Sequence, residues 1–113
     1  MYYAMIVLGI AALGGLVMAG VRFAGAPRPP TWLAMLHGLL AAAGLTLLIE
    51  AALTVGIPQL AQVGLCLLLL AAVGGAAINL LYHSRQLALP KSWVIAHASL
   101  AIIGFALLLV VAL

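Results

Sequence analysis

The sequence predicts an all-α integral membrane protein: a four-transmembrane-helix bundle made of two duplicated helix hairpins in parallel orientation. Composition, stretch length and an internal repeat point to it. Of 113 residues, 69% are hydrophobic and 4% are charged, against about 25% charged in an ordinary soluble domain. Five charges could not cover a soluble surface, so lipid must solvate most of the chain. A helix crosses the hydrocarbon with about 20 apolar residues, and four such stretches are present. A β-barrel would show alternating strands and a polar lumen, and neither pattern is visible.

The first stretch is Tyr2–Phe23. Its start, Met1-Tyr2-Tyr3-Ala4-Met5, has no Lys or Arg and so lacks the basic head of a cleaved signal peptide. Tyr2 and Tyr3 suit the membrane interface. The second stretch is Thr31–Thr54 and the third Ile57–Tyr82. Cys66, the single cysteine, lies in the third and has no partner for an internal disulfide, so it reads as a small packing residue. The fourth is Ser92–Leu113.

Loops one and three hold or flank all the basic residues, Arg22 and Arg28 at one and Arg85 and Lys91 at the other. The middle loop, Gly56-Ile57-Pro58, is uncharged. By the positive-inside rule, loops one and three face the cytoplasm of a bacterial inner membrane. Both termini then lie outside it. The net charge of +3 is therefore a matter of topology and implies no nucleic-acid partner.

A shift of 60 residues brings landmarks into register. Gly14 and Gly15 meet Gly74 and Gly75, Pro30 meets Pro90, His37 meets His97, and Gly44 meets Gly104. The chain reads as one membrane domain of two repeats, about 1–55 and 56–113. Each repeat has an even number of spans, so both insert the same way round, related by a pseudo-twofold axis along the membrane normal. Residues equivalent under the shift then share a depth and can face each other across the axis.

Three histidines stand near the basic loops. His83 lies seven residues before Pro90, and His97 seven after it; His37 lies seven after Pro30. A rise of about 1.5 Å per residue puts all three near one level. His83 has Phe23 as its counterpart and breaks the repeat. Helical spacing puts Ala41, Gly44 and Leu48 on the stripe of His37, and Ala101, Gly104 and Leu108 on that of His97.

Two neutral imidazoles at one depth could ligate a haem b iron from both sides. Ala41, Gly44, Ala101 and Gly104 would leave room for the macrocycle. Arg22, Arg85 and Lys91 could pair with its propionates. His83 could bond a propionate or replace one ligand. Three histidines could also bind zinc or copper, though no carboxylate or thiol stands near. A chlorophyll magnesium is a further possible partner for such a histidine. Small residues also let helices approach with no ligand at all, and a histidine can simply bond a neighbouring helix.

Glu50 is the single acid, about 20 Å beyond His37 along the axis. It shares a face with Thr46 and lies near Gln59 and Gln62. It reads as an interfacial carboxylate or as a proton or quinone contact. Asn79 reads as interhelical glue. No nucleophile–base pair, phosphate loop or paired carboxylate is present, so the expectation is no independent enzymatic activity.

The helical core with His37 and His97, and Gly44 and Gly104 beside them, resembles membrane-bound b-type cytochromes of the cytochrome b561-like kind. Typical members hold one haem near each membrane face. Here the outer half has no histidine, so the resemblance implies a single haem near the cytoplasmic side. Ala72-Val73-Gly74-Gly75 and His97 with Gly104 are also similar to small bacterial membrane proteins of no assigned activity. The expectation is a single-haem electron carrier, with the lipid bilayer, a quinone or redox protein, and a homodimer or larger membrane complex as partners. The competing expectation is a non-catalytic subunit or assembly factor.

Overall fold

The computed structural model describes all 113 residues as helices and short connections. The helices are α1 (Tyr2–Phe23), α2 (Thr31–Thr54), α3 (Gln59–Ile78) and α4 (Lys91–Ala112). A π turn, Asn79–His83, extends α3. All four helices are long and apolar enough to cross a membrane. The first two match the expected stretches. The third begins at Gln59, because Pro58 supplies the non-helical residue ahead of it, and its last turn widens from α to π. The fourth begins one residue early, at Lys91.

Proline sets three of the starts. Pro30, Pro58 and Pro90 each stand immediately before a helix, with φ of −58°, −58° and −63°. A proline here loses nothing, since the first N–H groups of a helix have no internal partner. The turns use positive φ at Gly25 (120°) and Gly56 (80°), where a side chain would be strained. Gln86 takes φ of 58° in the third connection.

Sequential helices form antiparallel hairpins, α1 on α2 and α3 on α4. The hairpins meet through α1 against α4 and α2 against α3. The bundle is thus a four-cornered ring with α2 and α4 on one diagonal. It measures 42 × 19 × 19 Å, long enough to span a bilayer of about 40–45 Å including headgroups.

The core is thin. Only 19 of 113 residues are buried. Large apolar side chains such as Leu13, Leu39, Leu53, Val73 and Val110 stand exposed, as an apolar solvent would allow. Contact between helices comes from small residues, which let backbones approach closely. An added Cβ at Gly44 would lie 2.6 Å from Leu8 Cγ, and one at Gly104 would lie 2.9 Å from the Gly64 carbonyl oxygen. Leu48 and Leu108, one turn further along, are fully enclosed.

Candidate functional site

His37 sits on α2 and His97 on α4, across the diagonal of the bundle. Their ring centroids are 6.2 Å apart and the ring planes cross at 85°. Each ring is held from behind by its own hairpin partner. His37 Nδ1 lies 2.7 Å from the Ala11 carbonyl oxygen, and His97 Nδ1 lies 2.6 Å from that of Ala71. A carbonyl only accepts, so Nδ1 carries the proton in both rings. In the neutral imidazole the lone pair is then on Nε2. Neither Nε2 has a hydrogen-bond partner in the protein, and no fully enclosed side-chain nitrogen is left unpartnered. Neither Nε2 atom is therefore fully enclosed.

Glycine makes this posture possible. An added Cβ at Gly15 would lie 2.9 Å from His37 Cε1, and one at Gly75 would lie 2.9 Å from His97 Cε1. An added Cβ at Gly14 or Gly74 would lie 4.0 or 3.9 Å from the Cβ atom of the same histidine. Every one of these contacts has its counterpart 60 residues along.

The small stripes behave differently from expectation. Gly44 is filled by Leu8, and Gly104 is packed on Gly64 and Leu68. These glycines close the hairpins and do not open a slot beside the imidazoles. The glycines that flank the rings belong to α1 and α3, the partner helices. Ala41 and Ala101 are half-buried one turn past the histidines.

His83 is separate from the pair. It is buried, and its Nε2 donates to the Pro29 carbonyl oxygen at 2.9 Å. The widened π turn carries it to the first connection. No group of three or more His, Cys, Asp or Glu residues converges anywhere in the chain. The three histidines thus do not gather into one cluster, and His83 Nε2 is turned to Pro29.

The basic residues have also divided. Arg22 Nε donates to the Leu89 carbonyl at 2.9 Å, and Arg28 Nη1 to that of Gln86 at 2.9 Å. The Leu89 N–H donates to the Pro27 carbonyl at 2.9 Å. With His83 on Pro29, these bonds stitch the first and third connections together. Arg22 thereby helps to hold the two connections together. Arg85 is exposed, and Lys91 Nζ stands 5.7 Å from the centre of the Phe23 ring, in cation–π range. At the far end, Glu50 is exposed, with its backbone carbonyl accepting from the Thr54 hydroxyl.

Sequence reasoning found both histidines but missed what grips them. The Ala11 and Ala71 carbonyls belong to intact helices and leave no mark in composition. The signal that was present is the glycine pair at 14–15 and 74–75, which permits the close crossing. Comparison with protein-family models, with curated proteins and with solved structures found no match to this chain.

Proposed function

We propose that the protein is a membrane-embedded electron carrier with a single haem b held between His37 and His97, near the loops that carry the basic residues. One observation carries the reading: two imidazoles face across the bundle with Nδ1 anchored on carbonyls and Nε2 free. A histidine that ligates a metal characteristically donates its other ring N–H to a backbone carbonyl or carboxylate, which fixes tautomer and orientation. Metal–imidazole bonds are about 2 Å, so two rings on opposite sides of one metal have centroids about 6 Å apart. The observed 6.2 Å fits that arrangement. Haem iron would supply one-electron chemistry at a potential set by its ligands and surroundings.

The chain's own residues orient and insulate. The Ala11 and Ala71 carbonyls hold the rings and fix their tautomer. Gly14, Gly15, Gly74 and Gly75 let the ligand-bearing helices seat deeply. Leu8 and Leu68 fill the layer below and exclude water. Arg85 and Lys91 would be available to haem propionates at the loop end, with Arg22 beside them already bonded to the Leu89 carbonyl. The two hairpins arise by duplication and insert in parallel, which makes the ligand pair symmetric. Loops one and three face the cytoplasm of a bacterial inner membrane and both termini face out. A quinone or a redox protein exchanges electrons there, and the apolar outer faces meet lipid or a second membrane subunit.

A second reading has its own support. The bonds to Ala11 and Ala71 would tie each hairpin together without any metal, which suits an accessory subunit. The reduced-minus-oxidised absorption spectrum of the purified protein, expressed with ample haem, separates the two. A b-type spectrum lost in both H37A and H97A supports the carrier. A folded wild-type protein that shows none leaves the clamp.

A further inference from the structure

We infer that the groove between α2 and the π turn binds the head of a neutral lipid-soluble quinone or quinol. The groove is open to the surface, has a volume of about 430 Å³ and is lined by residues including Thr31, Met35, Gly38, Leu39, Asn79 and His83. Its α2 side is one helical stripe, positions 31, 35 and 38. Its other side is the π turn, a rare geometry that recurs at functional sites. The counterpart segment in the other hairpin, residues 19–23, is ordinary α-helix, so the groove interrupts the repeat.

No charged side chain lines it, which argues against an anionic headgroup and for a neutral occupant. Polar groups converge with unused capacity. His83 donates through Nε2 to Pro29, so its neutral form keeps an acceptor lone pair at Nδ1, which has no protein partner and is not fully enclosed. The Asn79 amide and the Thr31 hydroxyl make no side-chain hydrogen bond and stand exposed. A quinone carbonyl needs a donor such as the amide or hydroxyl. A quinol hydroxyl needs an acceptor such as the imidazole nitrogen. Met35 and Leu39 supply apolar wall, as small-molecule sites generally do.

Gly38 keeps the α2 side of the groove unfilled. It lies inside α2, where glycine costs about 1 kcal/mol relative to alanine. A Cβ there would meet nothing within 4 Å. No protein neighbour requires the gap. Gly38 is also the residue next to His37, so an occupant sits beside the ligand-bearing turn. The choice of a redox-active head rests on the haem reading; the existence of the site does not.

The test uses haem-free protein in phosphatidylcholine nanodiscs, with Trp93→Phe so that only Trp32, next to Thr31, reports. Decylubiquinone is titrated and tryptophan quenching recorded. The inference expects saturable quenching. Gly38→Leu, whose Cβ meets no protein atom within 4 Å, abolishes saturation while helicity is unchanged. Asn79→Leu and His83→Ala each weaken binding about tenfold, the worth of one good hydrogen bond. Quenching that is linear in quinone, or unaltered in a folded Gly38→Leu protein, overturns the site. Displacement of the quinone by added phosphatidylglycerol also overturns it, in favour of a phospholipid. Saturable binding in a protein that shows no haem spectrum would leave this site standing and remove the haem reading; a haem spectrum without saturable binding does the reverse.

Discussion

The imidazole of His37 and the imidazole of His97 stand 6.2 Å apart, planes crossed at 85°, each pinned through Nδ1 to a helix carbonyl of its own hairpin. Two imidazoles thus converge from opposite corners of the bundle with matching support behind each. That symmetry makes the consequences of substitution specific.

Replacement of either histidine by alanine should remove the b-type spectrum entirely, with equal effect from the two sides. Helicity should persist, since each loses one hydrogen bond, worth about 0.5–1.5 kcal/mol. A spectrum that survives one replacement but not the other would mean that the pair does not act as a unit. Absorption and circular dichroism on the same samples check this.

Gly15→Ala and Gly75→Ala should each displace the ring they face. The new Cβ would lie 2.9 Å from Cε1 of His37 or His97, and such overpacking costs about 1–3 kcal/mol. The expected outcome is weakened haem retention during size-exclusion chromatography and a shifted Soret band. Gly20→Ala is the control. It meets nothing within 4 Å and should stabilise the helix by about 0.5–1 kcal/mol.

Gly104→Ala should damage the fold without touching His37 or His97 directly. Its Cβ would meet the backbone oxygen of Gly64 at 2.9 Å, and a backbone cannot rotate aside. A loss of about 1–3 kcal/mol is expected, seen as a lower midpoint of thermal unfolding in detergent. An unchanged midpoint would show that the α3–α4 crossing has slack that the close packing does not suggest.

His83→Phe, which restores the residue type found 60 positions earlier, should leave the haem spectrum intact. It removes the donor to Pro29 and leaves that carbonyl unpaired, at a cost of about 1–3 kcal/mol. Thermal unfolding of the variant measures the cost. Loss of haem from this variant in a still-folded protein would assign His83 a part in ligation that its bond to Pro29 argues against.

The helices were legible in the sequence because spanning length and apolar composition are one-dimensional properties. Tyr2–Phe23 and Thr31–Thr54 needed nothing more. The π turn was not legible: Asn79–His83 continues the apolar pattern, and its widening depends on where His83 finds an acceptor, a contact to Pro29 across 54 residues. The pairing of His37 with His97 followed from the repeat, which fixes relative depth. The role of Gly44 and Gly104 did not follow from the shared stripe. A stripe says which residues lie on one face of a helix, not which neighbour fills the space, and Leu8 and Leu68 fill it here. The hydrogen bonds of Arg22 were not legible for a similar reason. Charge near a loop marks topology, but whether a guanidinium is free depends on carbonyls such as that of Leu89, far away in the chain.

Low-temperature electron paramagnetic resonance of the oxidised, haem-loaded protein tests the account at its centre. Two neutral imidazoles on one ferric iron give a low-spin signal, and ring planes near a right angle make that signal strongly anisotropic. The account predicts that spectrum, lost on substitution of His37 or His97. A high-spin signal, or a low-spin signal indifferent to both substitutions, would contradict it.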